Sequence, residues 1–373
     1  MTDRKHFVVY GAGLSLGLTD NIAASTNAVE IPSSQGTYIS GGQPFVEFWP
    51  KTAGYTDEQI RDNKASMNGS VVTIVQSIGP NYSENFAYAK LAADDAKRFG
   101  AKVVHMVFPF YDLREDKDFP NRGTSFANPI YAKELVAAGV DFVTFMAPHS
   151  KAGVAQFAKV FGKNISVVEL QEILVPVIQR KFGGDVTHVV NGAPDGWNKQ
   201  DDQALGCAFA IAEALHGNNS NEHLFGIEKH RIRPGESVSK WAHGNVAGKI
   251  VITADDMFDG GGTSIDAGIL ASDNGAAQVY LTAGHGIFSK GLAPFLSAKT
   301  SDGAPLVTQV ITTNTLAVEE AIKAARRQFP NIKDRVLVAD VSSFVVREMK
   351  HVLAMADQVA RESMANKRNA IER

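Results

Sequence analysis

Short apolar runs alternate with longer amphipathic stretches along the first half of the chain. Val71 to Gln76, Val103 to Phe108 and Asp141 to Met146 are rich in β-branched and aromatic residues and have the length of buried strands. Glu84 to Phe99 and Pro129 to Gly139 lie between these runs and have the length and pattern of helices. The alternation predicts an α/β fold with a parallel sheet that is covered on both faces.

The same alternation begins again in the second half of the chain. Further strands are predicted in five runs: Val186 to Val190, Lys249 to Thr253, Ala276 to Ala283, Leu306 to Ile311 and Arg335 to Ala339. Ser342 to Arg373 reads as one long terminal helix. Because 373 residues exceed the usual size of a single domain, we expect two domains, residues 1–165 and residues 166–373.

Composition narrows the classes of function. Hydrophobic residues make up 44% and charged residues 21%, as in an ordinary globular protein, and the net charge of −3 disfavours a nucleic-acid-binding surface. No apolar run approaches the roughly 18 residues of a membrane span, and the N-terminus lacks the apolar core of a signal peptide. The single cysteine, Cys207, excludes an internal disulfide framework. We therefore expect a cytoplasmic protein with no membrane or nucleic-acid partner.

The stretch from Gly248 to Ser264 carries the most informative chemistry. The predicted strand is followed by three aspartates, Asp255, Asp256 and Asp259. A glycine loop, Gly260, Gly261, Gly262 and Thr263, then precedes the predicted helix Ile265 to Asn274. Glycines let backbone N–H groups converge on an anion at a helix start, and carboxylates suit ribose hydroxyls or Mg²⁺. A glycine-rich turn alone is often only a turn, but the acidic residues directly ahead of it favour a binding site for phosphate and ribose.

Candidate ligand residues also follow two strands of the first half. Phe110 to Phe119 is dense in charge, and its Arg114 can pair with phosphate or stack on a base. A solvated surface turn is the alternative for this loop. His149 follows the next strand, and although isolated histidines are usually structural, its place at a strand end makes it a candidate ligand.

A basic run extends from Glu228 to Arg233 in the second half. Such runs are often solvated edge strands. A polar, glycine-containing stretch follows it as far as Gly248, and we expect that stretch to be mobile. Mobile basic loops are suited to closing over polyphosphates during transfer.

The stretch Asp255 to Thr263 resembles the Asp-Asp-Met-Ile-Asp-Thr-Gly-Gly-Thr loop of proteins that bind phosphoribosyl diphosphate (PRPP). Other stretches resemble motifs of the ribose-phosphate diphosphokinase (PRPP synthetase) family along nearly the whole chain: Val75 to Ser77, Pro109 to Asp116, His149, Lys229 with Arg231, Gly284 to Ser289, and Thr313 to Thr315. The resemblance implies two similar phosphoribosyltransferase-like domains, each a mainly parallel sheet flanked by helices.

The family's chemistry gives each of these residues an expected role. ATP transfers its β,γ-diphosphoryl group to the C1 hydroxyl of a 5-phosphorylated ribose with the help of Mg²⁺, and AMP is released. The resemblance implies that Lys229 and Arg231 are catalytic and that Asp255 to Thr263 bind the ribose phosphate. It implies ATP binding by Arg114, Glu115, Asp116 and His149, and metal binding by His149 and Asp195. A homo-oligomer is expected, because members of the family assemble in that way.

Three departures from the family's motifs bear on the substrate. Ile39 to Gln43 lacks the two acids of the family's Phe-Ser-Asp-Gly-Glu hairpin, and Ala147 replaces an Asp two residues before the metal-binding histidine. Gly260 stands where the family has a threonine whose hydroxyl binds the 5-phosphate. The loss of that side chain makes room for a 5-phosphate that continues into a larger group, so ribose 5-phosphate and ADP-ribose are equally expected acceptors.

Two other functions remain open at the level of the sequence. A phosphoribosyltransferase would use the same Asp-Asp loop to consume PRPP, although His149, Lys229 and Arg231 disfavour this alternative. A catalytically silent homologue would serve as a subunit or a regulator. The missing acids favour that alternative, and the retained Lys229 and Arg231 disfavour it.

Overall fold

The computed structural model describes residues 5–11, 14–37, 43–112, 127–193, 203–217, 220–233 and 236–371. The chain forms two compact units, and each has its own sheet. The first unit comprises Met1–Val168 together with Val341–Arg373, and the second comprises Glu169–Asp340. The α/β architecture and the two-fold repetition predicted from the sequence are confirmed.

The first unit is built on a parallel sheet of six strands in the order β2-β1-β5-β6-β7-β8. Its strands and helices are β1 (His6–Tyr10), α1 (Leu16–Ser25), β2 (Val29–Glu30), β3 (Ser33–Thr37), β4 (Pro44–Phe48), α2 (Asp57–Ser66), β5 (Val71–Val75), α3 (Tyr82–Arg98), β6 (Val103–Phe108), α4 (Ala127–Ala137), β7 (Phe142–Met146), α5 (Lys151–Phe161) and β8 (Ile165–Val168). β3 and β4 form a separate antiparallel pair. The central strands are buried along their whole length because helices cover both faces.

The second unit has a sheet of seven strands in the order β11-β10-β9-β12-β13-β14-β15. Its elements are α6 (Leu170–Lys181), β9 (Val189–Ala193), α7 (Gln203–His216), β10 (Leu224–Arg233), β11 (Glu236–His243), β12 (Ile250–Phe258), α8 (Gly262–Asp273), β13 (Gln278–Gly286), α9 (Ala293–Leu296), β14 (Gln309–Thr313), α10 (Glu319–Ala325), α11 (Ile332–Arg335) and β15 (Val336–Ala339). Only the pair β10 and β11 is antiparallel. Parallel strands collect their carboxyl ends at one edge, which is where ligands bind in such sheets.

The C-terminal segment departs from the prediction in two respects. It forms two helices, α12 (Ser342–Ala354) and α13 (Ala356–Ile371), instead of one long helix. Both belong to the first unit and not, as predicted, to the second. Apolar residues of the two helices pack against strands of the first sheet in one buried cluster. The helices contribute Val352, Ala356, Val359 and Ala360, and the strands contribute Val71, Val103 and Phe142.

A buried carboxylate explains why α13 belongs to the first unit. Asp141 is only 3% exposed and accepts hydrogen bonds from Ser363 Oγ at 2.6 Å and Lys367 Nζ at 3.0 Å, both on α13. Lys97 Nζ lies 2.5 Å from the other carboxylate oxygen, which also accepts a bond from Val104 N. A buried charge has to be paired, and half of the partners of Asp141 come from the end of the chain. Sequence periodicity carries no information on such a contact between distant residues.

Candidate functional site

The acidic pair of the second unit lies inside a strand. β12 was predicted to end at Thr253, but it extends to Phe258 and therefore contains both Asp255 and Asp256. The extension follows from continued pairing with β13, in which Asp255 lies opposite Ala283 and Met257 opposite His285. The two carboxylates are thus held by a rigid strand at the ligand-binding edge of the sheet.

A tight glycine turn connects β12 to α8. Gly261 is the N-cap residue of α8 and has a φ of 82°, which favours glycine. A Cβ atom at this position would lie 2.6 Å from the ring of Phe295, so close packing also requires glycine. Gly262 and Thr263 begin the helix, whose first bond joins Ile265 N to Gly261 O at 2.9 Å. The preceding amides of this turn have no intrahelical acceptor and are suited to binding an anion.

Gly260 differs from Gly261 because its surroundings are open. The heavy atoms nearest to a Cβ added at Gly260 are 3.8 Å away, and its φ lies outside the range that favours glycine. Neither strain nor packing requires glycine at this position. The residue that the sequence analysis connected with the choice of acceptor can therefore be substituted without disturbing the turn.

Asp255 is held by its immediate neighbours. Ser264 Oγ donates to its Oδ2 at 3.1 Å, and the amide of Asp256 donates to its Oδ1 at 3.0 Å. Burial and, to a smaller extent, the adjacent Asp256 carboxylate raise the pKa of Asp255 to about 8, whereas the bond from Ser264 opposes the rise. Asp255 therefore keeps its proton at neutral pH when nothing else occupies the site.

Two neighbouring strand ends carry buried polar side chains to which the sequence analysis gave no specific role. His285 Nδ1 lies 2.9 Å from Thr315 Oγ1, and Thr313 Oγ1 donates to Gly284 O at 2.6 Å. His285 is 1% exposed, and Thr313 and Thr315 are fully buried. They brace the ends of β13 and β14 beside the acidic strand. His285, Thr313 and Thr315 each lie at the end of a predicted apolar strand, and this position was the signal in the sequence that could have indicated their role.

The basic run lies in a β-ribbon. The segment after Arg233 was expected to be mobile, but Glu236–His243 forms β11, which pairs with β10. Lys229 lies opposite Ser239 and Arg231 opposite Ser237, and the register shifts between Glu228 and Lys229. The expected mobile loop is therefore wrong for these residues. Long alternating strands are hard to distinguish from polar loops when charged residues interrupt them.

In the first unit, His149 lies between the end of β7 and the start of α5. Its side chain is half-buried. Ala147 has a φ of 43°, which turns the chain sharply after the strand, and Ser150 Oγ caps α5 by accepting from Gly153 N at 3.0 Å. The histidine thus occupies a strand end, as predicted. Arg114, Glu115, Asp116 and Asp195 lie outside the described residues.

The carboxylates at the end of β12 have the chemistry of a Mg²⁺ site. Mg²⁺ prefers oxygen ligands and commonly binds through one or two carboxylates together with substrate phosphates and water. Asp255 and Asp256 fit that preference. Within the described residues, no group of three or more His, Cys, Asp or Glu side chains is arranged to hold a metal ion. The described helices also include none that is long and apolar enough to cross a membrane.

Comparison with known proteins gives a consistent result. The family model described as phosphoribosyl synthetase-associated domain matches residues 230–357. A ribose-phosphate pyrophosphokinase of Gloeobacter violaceus is 30% identical over 278 residues, which are 74% of this chain and 74% of that protein. The enzyme of the same name from Bradyrhizobium diazoefficiens is 28% identical over 290 residues, covering 78% of this chain and 82% of that protein.

A solved structure shows the same fold. The crystal structure of phosphoribosylpyrophosphate synthetase from Mycobacterium smegmatis superposes with a TM-score of 0.71 at 23% identity, over 94% of this chain and 99% of that chain. The predicted pair of mainly parallel sheets flanked by helices is confirmed.

Substitution of Asp255 should change how stability depends on pH. The folded-state pKa of about 8 lies above the ordinary value of 3.8, so the native state keeps a proton that the unfolded state releases between these values. The contribution of Asp255 to the free energy of unfolding is therefore fully present below pH 4. It is lost as the pH rises towards 8, by up to about 1.4 kcal/mol per pH unit. In Asp255→Asn, the urea midpoint should fall less between pH 5 and pH 8 than in the wild type.

Asp266→Asn is the matched control, because Asp266 is an exposed carboxylate on α8. Its midpoints should follow those of the wild type at every pH. Parallel pH curves for Asp255→Asn and the wild type would show that Asp255 is ionised in the native state.

Proposed function

The chain belongs to the ribose-phosphate pyrophosphokinase family, and from this premise we propose that it transfers a diphosphoryl group from ATP to a ribose that is phosphorylated at O5. The C1 hydroxyl oxygen attacks the β-phosphorus of ATP, the bond from that phosphorus to the oxygen of the α-phosphate breaks, and AMP leaves. The hydroxyl proton passes to solvent. The observation that carries the proposal is the acidic end of β12, followed directly by the glycine turn and the start of α8.

The acceptor binds along this segment in the proposal. Asp255 and Asp256 accept hydrogen bonds from the ribose hydroxyls, and the backbone from Asp259 to Thr263 receives the 5-phosphate at the start of α8. A hydroxyl that donates to Asp255 stabilises its ionised form, since hydrogen bonds to a carboxylate lower its pKa. Binding of the sugar therefore opposes the effect of burial and releases the proton of Asp255.

The donor side of the reaction is assigned to basic groups. Lys229 and Arg231 neutralise the charge that develops on the diphosphoryl group during transfer, which is the main catalytic requirement of phosphoryl transfer. Their place on a paired strand supports this role, because a catalytic charge is most effective when its backbone is fixed in advance. Arg114, Glu115 and Asp116 are assigned to ATP on the family resemblance alone.

His149 and Asp195 are each assigned a role in binding Mg²⁺ on the family resemblance alone. The carboxylates at the end of β12 are assigned such a role separately, because their chemistry suits the ion. When bound, Mg²⁺ would supply positive charge to the phosphate oxygens of the nucleotide. The carboxylates of Asp255 and Asp256 would face this ion as well as the ribose, so they have to be ionised when the reaction occurs.

The acceptor is either ribose 5-phosphate or ADP-ribose, and both present the same C1 hydroxyl. The space at Gly260 supports an acceptor in which the 5-phosphate continues into a larger group, because the nearest side chain to a Cβ position there is the flexible end of Lys290, at 3.8 Å. The products would be PRPP and the 1-diphosphate of ADP-ribose, respectively.

Lys229→Ala should lower kcat by roughly a hundredfold or more, with a smaller effect on the KM of the acceptor, because its charge is needed chiefly in the transition state. AMP release from ATP and Mg²⁺ with each acceptor is the measurement. Lys323→Ala is the control, since Lys323 is an exposed lysine that pairs only with exposed Glu320. A variant with weaker binding and unchanged kcat would remove Lys229 from the catalytic group. A wild-type protein that releases no AMP with either acceptor would favour a silent regulatory homologue.

His149→Ala should raise the Mg²⁺ concentration required for half of the maximal rate, because it removes one ligand of the metal. The rate at saturating Mg²⁺ should recover in large part. His188→Ala, at an exposed histidine, serves as the control. An unchanged Mg²⁺ dependence would leave His149 with a structural role at the start of α5.

Gly260→Thr should restore a hydroxyl donor for a terminal phosphate and should crowd any extension beyond it. The ratio of kcat/KM for ADP-ribose to that for ribose 5-phosphate should fall by roughly ten- to a hundredfold, because the new side chain both crowds the longer acceptor and favours a terminal phosphate. Gly17→Thr on α1 is the control, because Gly17 is exposed and its added Cβ meets only Ser15 Oγ at 3.7 Å. A wild type that uses ribose 5-phosphate well and ignores ADP-ribose would contradict the larger acceptor.

A further inference from the structure

Lys290 borders the space that Gly260 leaves open. A Cβ atom built on Gly260 would lie 3.8 Å from Lys290 Nζ, 3.8 Å from its Cε and 4.0 Å from its Cδ. These three atoms are the nearest heavy atoms to that position. The end of a lysine side chain, with its positive charge, therefore lies where a longer residue at position 260 would project.

The backbone that carries Lys290 is fixed to the end of the acidic strand. The amides of Ile287 and Phe288 both donate to Phe258 O, at 2.8 and 3.0 Å, and Gly291 N donates to Phe288 O at 2.7 Å. Phe288 has a φ of 49°, which is uncommon for a residue other than glycine, and its ring packs against Phe258 and Phe295. The turn thus keeps Lys290 beside the glycine loop.

Lys290 is exposed, and its ammonium makes no hydrogen bond or ion pair with any of the described residues. It lies beside Gly260, a residue of the turn that follows Asp259 and the strand that carries Asp255 and Asp256. A phosphate bound at the start of α8 would bring still more negative charge to this region. A nearby cation would offset that charge, and an ammonium donates strong hydrogen bonds to phosphate oxygens.

We propose that Lys290 binds the phosphate on O5 of the acceptor, in the place of the side chain that position 260 lacks. The ammonium supplies the donor that a hydroxyl at position 260 would otherwise provide. This inference rests on the proposed function for the location of the phosphate. It adds a charged side chain to the backbone amides that the proposed function places around the phosphate.

Lys290→Met tests the charge with little change of shape. Binding of ribose 5-phosphate, measured by calorimetry, should weaken by roughly ten- to a hundredfold, the effect of a hydrogen bond between charged groups. The KM for this acceptor should rise in parallel, while kcat stays within about threefold, because the contact is made equally in the ground state and the transition state. Lys290→Arg should retain most of the affinity. Lys299→Met, at an exposed lysine of the same unit, should behave as the wild type.

A double variant tests whether Lys290 replaces the missing side chain. In Lys290→Met, the further change Gly260→Thr should recover at least about tenfold of the lost affinity, because the hydroxyl restores a donor to the same phosphate oxygen. In the presence of Lys290, the same Gly260→Thr change should improve ribose 5-phosphate binding much less. Additive effects of the two substitutions would overturn the proposal.

Comparing the binding of ribose 5-phosphate and ADP-ribose to Lys290→Met shows which phosphate Lys290 contacts. ADP-ribose carries the same phosphate on O5, so Lys290→Met should weaken its binding as well. A loss confined to ADP-ribose would overturn the proposal, since Lys290 would then bind the second phosphate. Unchanged binding of both compounds would also overturn it. Binding that depends on Lys290 in a protein that releases no AMP would support the inference while contradicting the proposed transfer reaction.

Discussion

The carbonyl of Phe258 is the point on which the arrangement of the site depends. It accepts two amides from the turn after β13, and the Phe258 ring packs against Phe288 and Phe295. The same Phe295 ring leaves no room for a side chain at Gly261. One apolar cluster therefore sets the glycine turn on one side and the position of Lys290 on the other. The positions of the polar groups of the site therefore depend on the apolar packing of these phenylalanine rings.

In the proposed function, the electrostatics of the site couple sugar binding to proton release. Asp255 is kept neutral by burial and by Asp256, so the end of β12 carries less negative charge than its composition suggests. Ribose hydroxyls and a divalent cation both favour the ionised form. Ligands would thus create part of the negative charge that holds them, and the site avoids the cost of two adjacent, half-buried carboxylates in their absence.

Local patterns predicted the α/β class, the repetition and the buried strands, because β-branched runs and helical spacing depend on neighbouring residues. The order of strand, glycine turn and helix around Asp255 to Thr263 was also predicted correctly, although the strand was expected to end at Thr253 and the helix to begin at Ile265. The length of β12 and the ribbon of β10 with β11 were missed, because their pairing partners lie elsewhere in the chain. Lys290 was missed as well: its proximity to Gly260 arises from a turn 30 residues further on, and no motif links them.

The return of α12 and α13 to the first unit makes the second unit an insertion within the first. During synthesis, residues 169–340 leave the ribosome before the helices that complete the first sheet exist. The second unit can then fold as a continuous segment, whereas Asp141 gains its hydrogen bonds from Ser363 and Lys367 only after α13 has been synthesised. The first unit is complete only after α13 has been made, so a nascent chain that stops before Ser363 leaves Asp141 without two of its partners, on an incomplete core that is prone to aggregation.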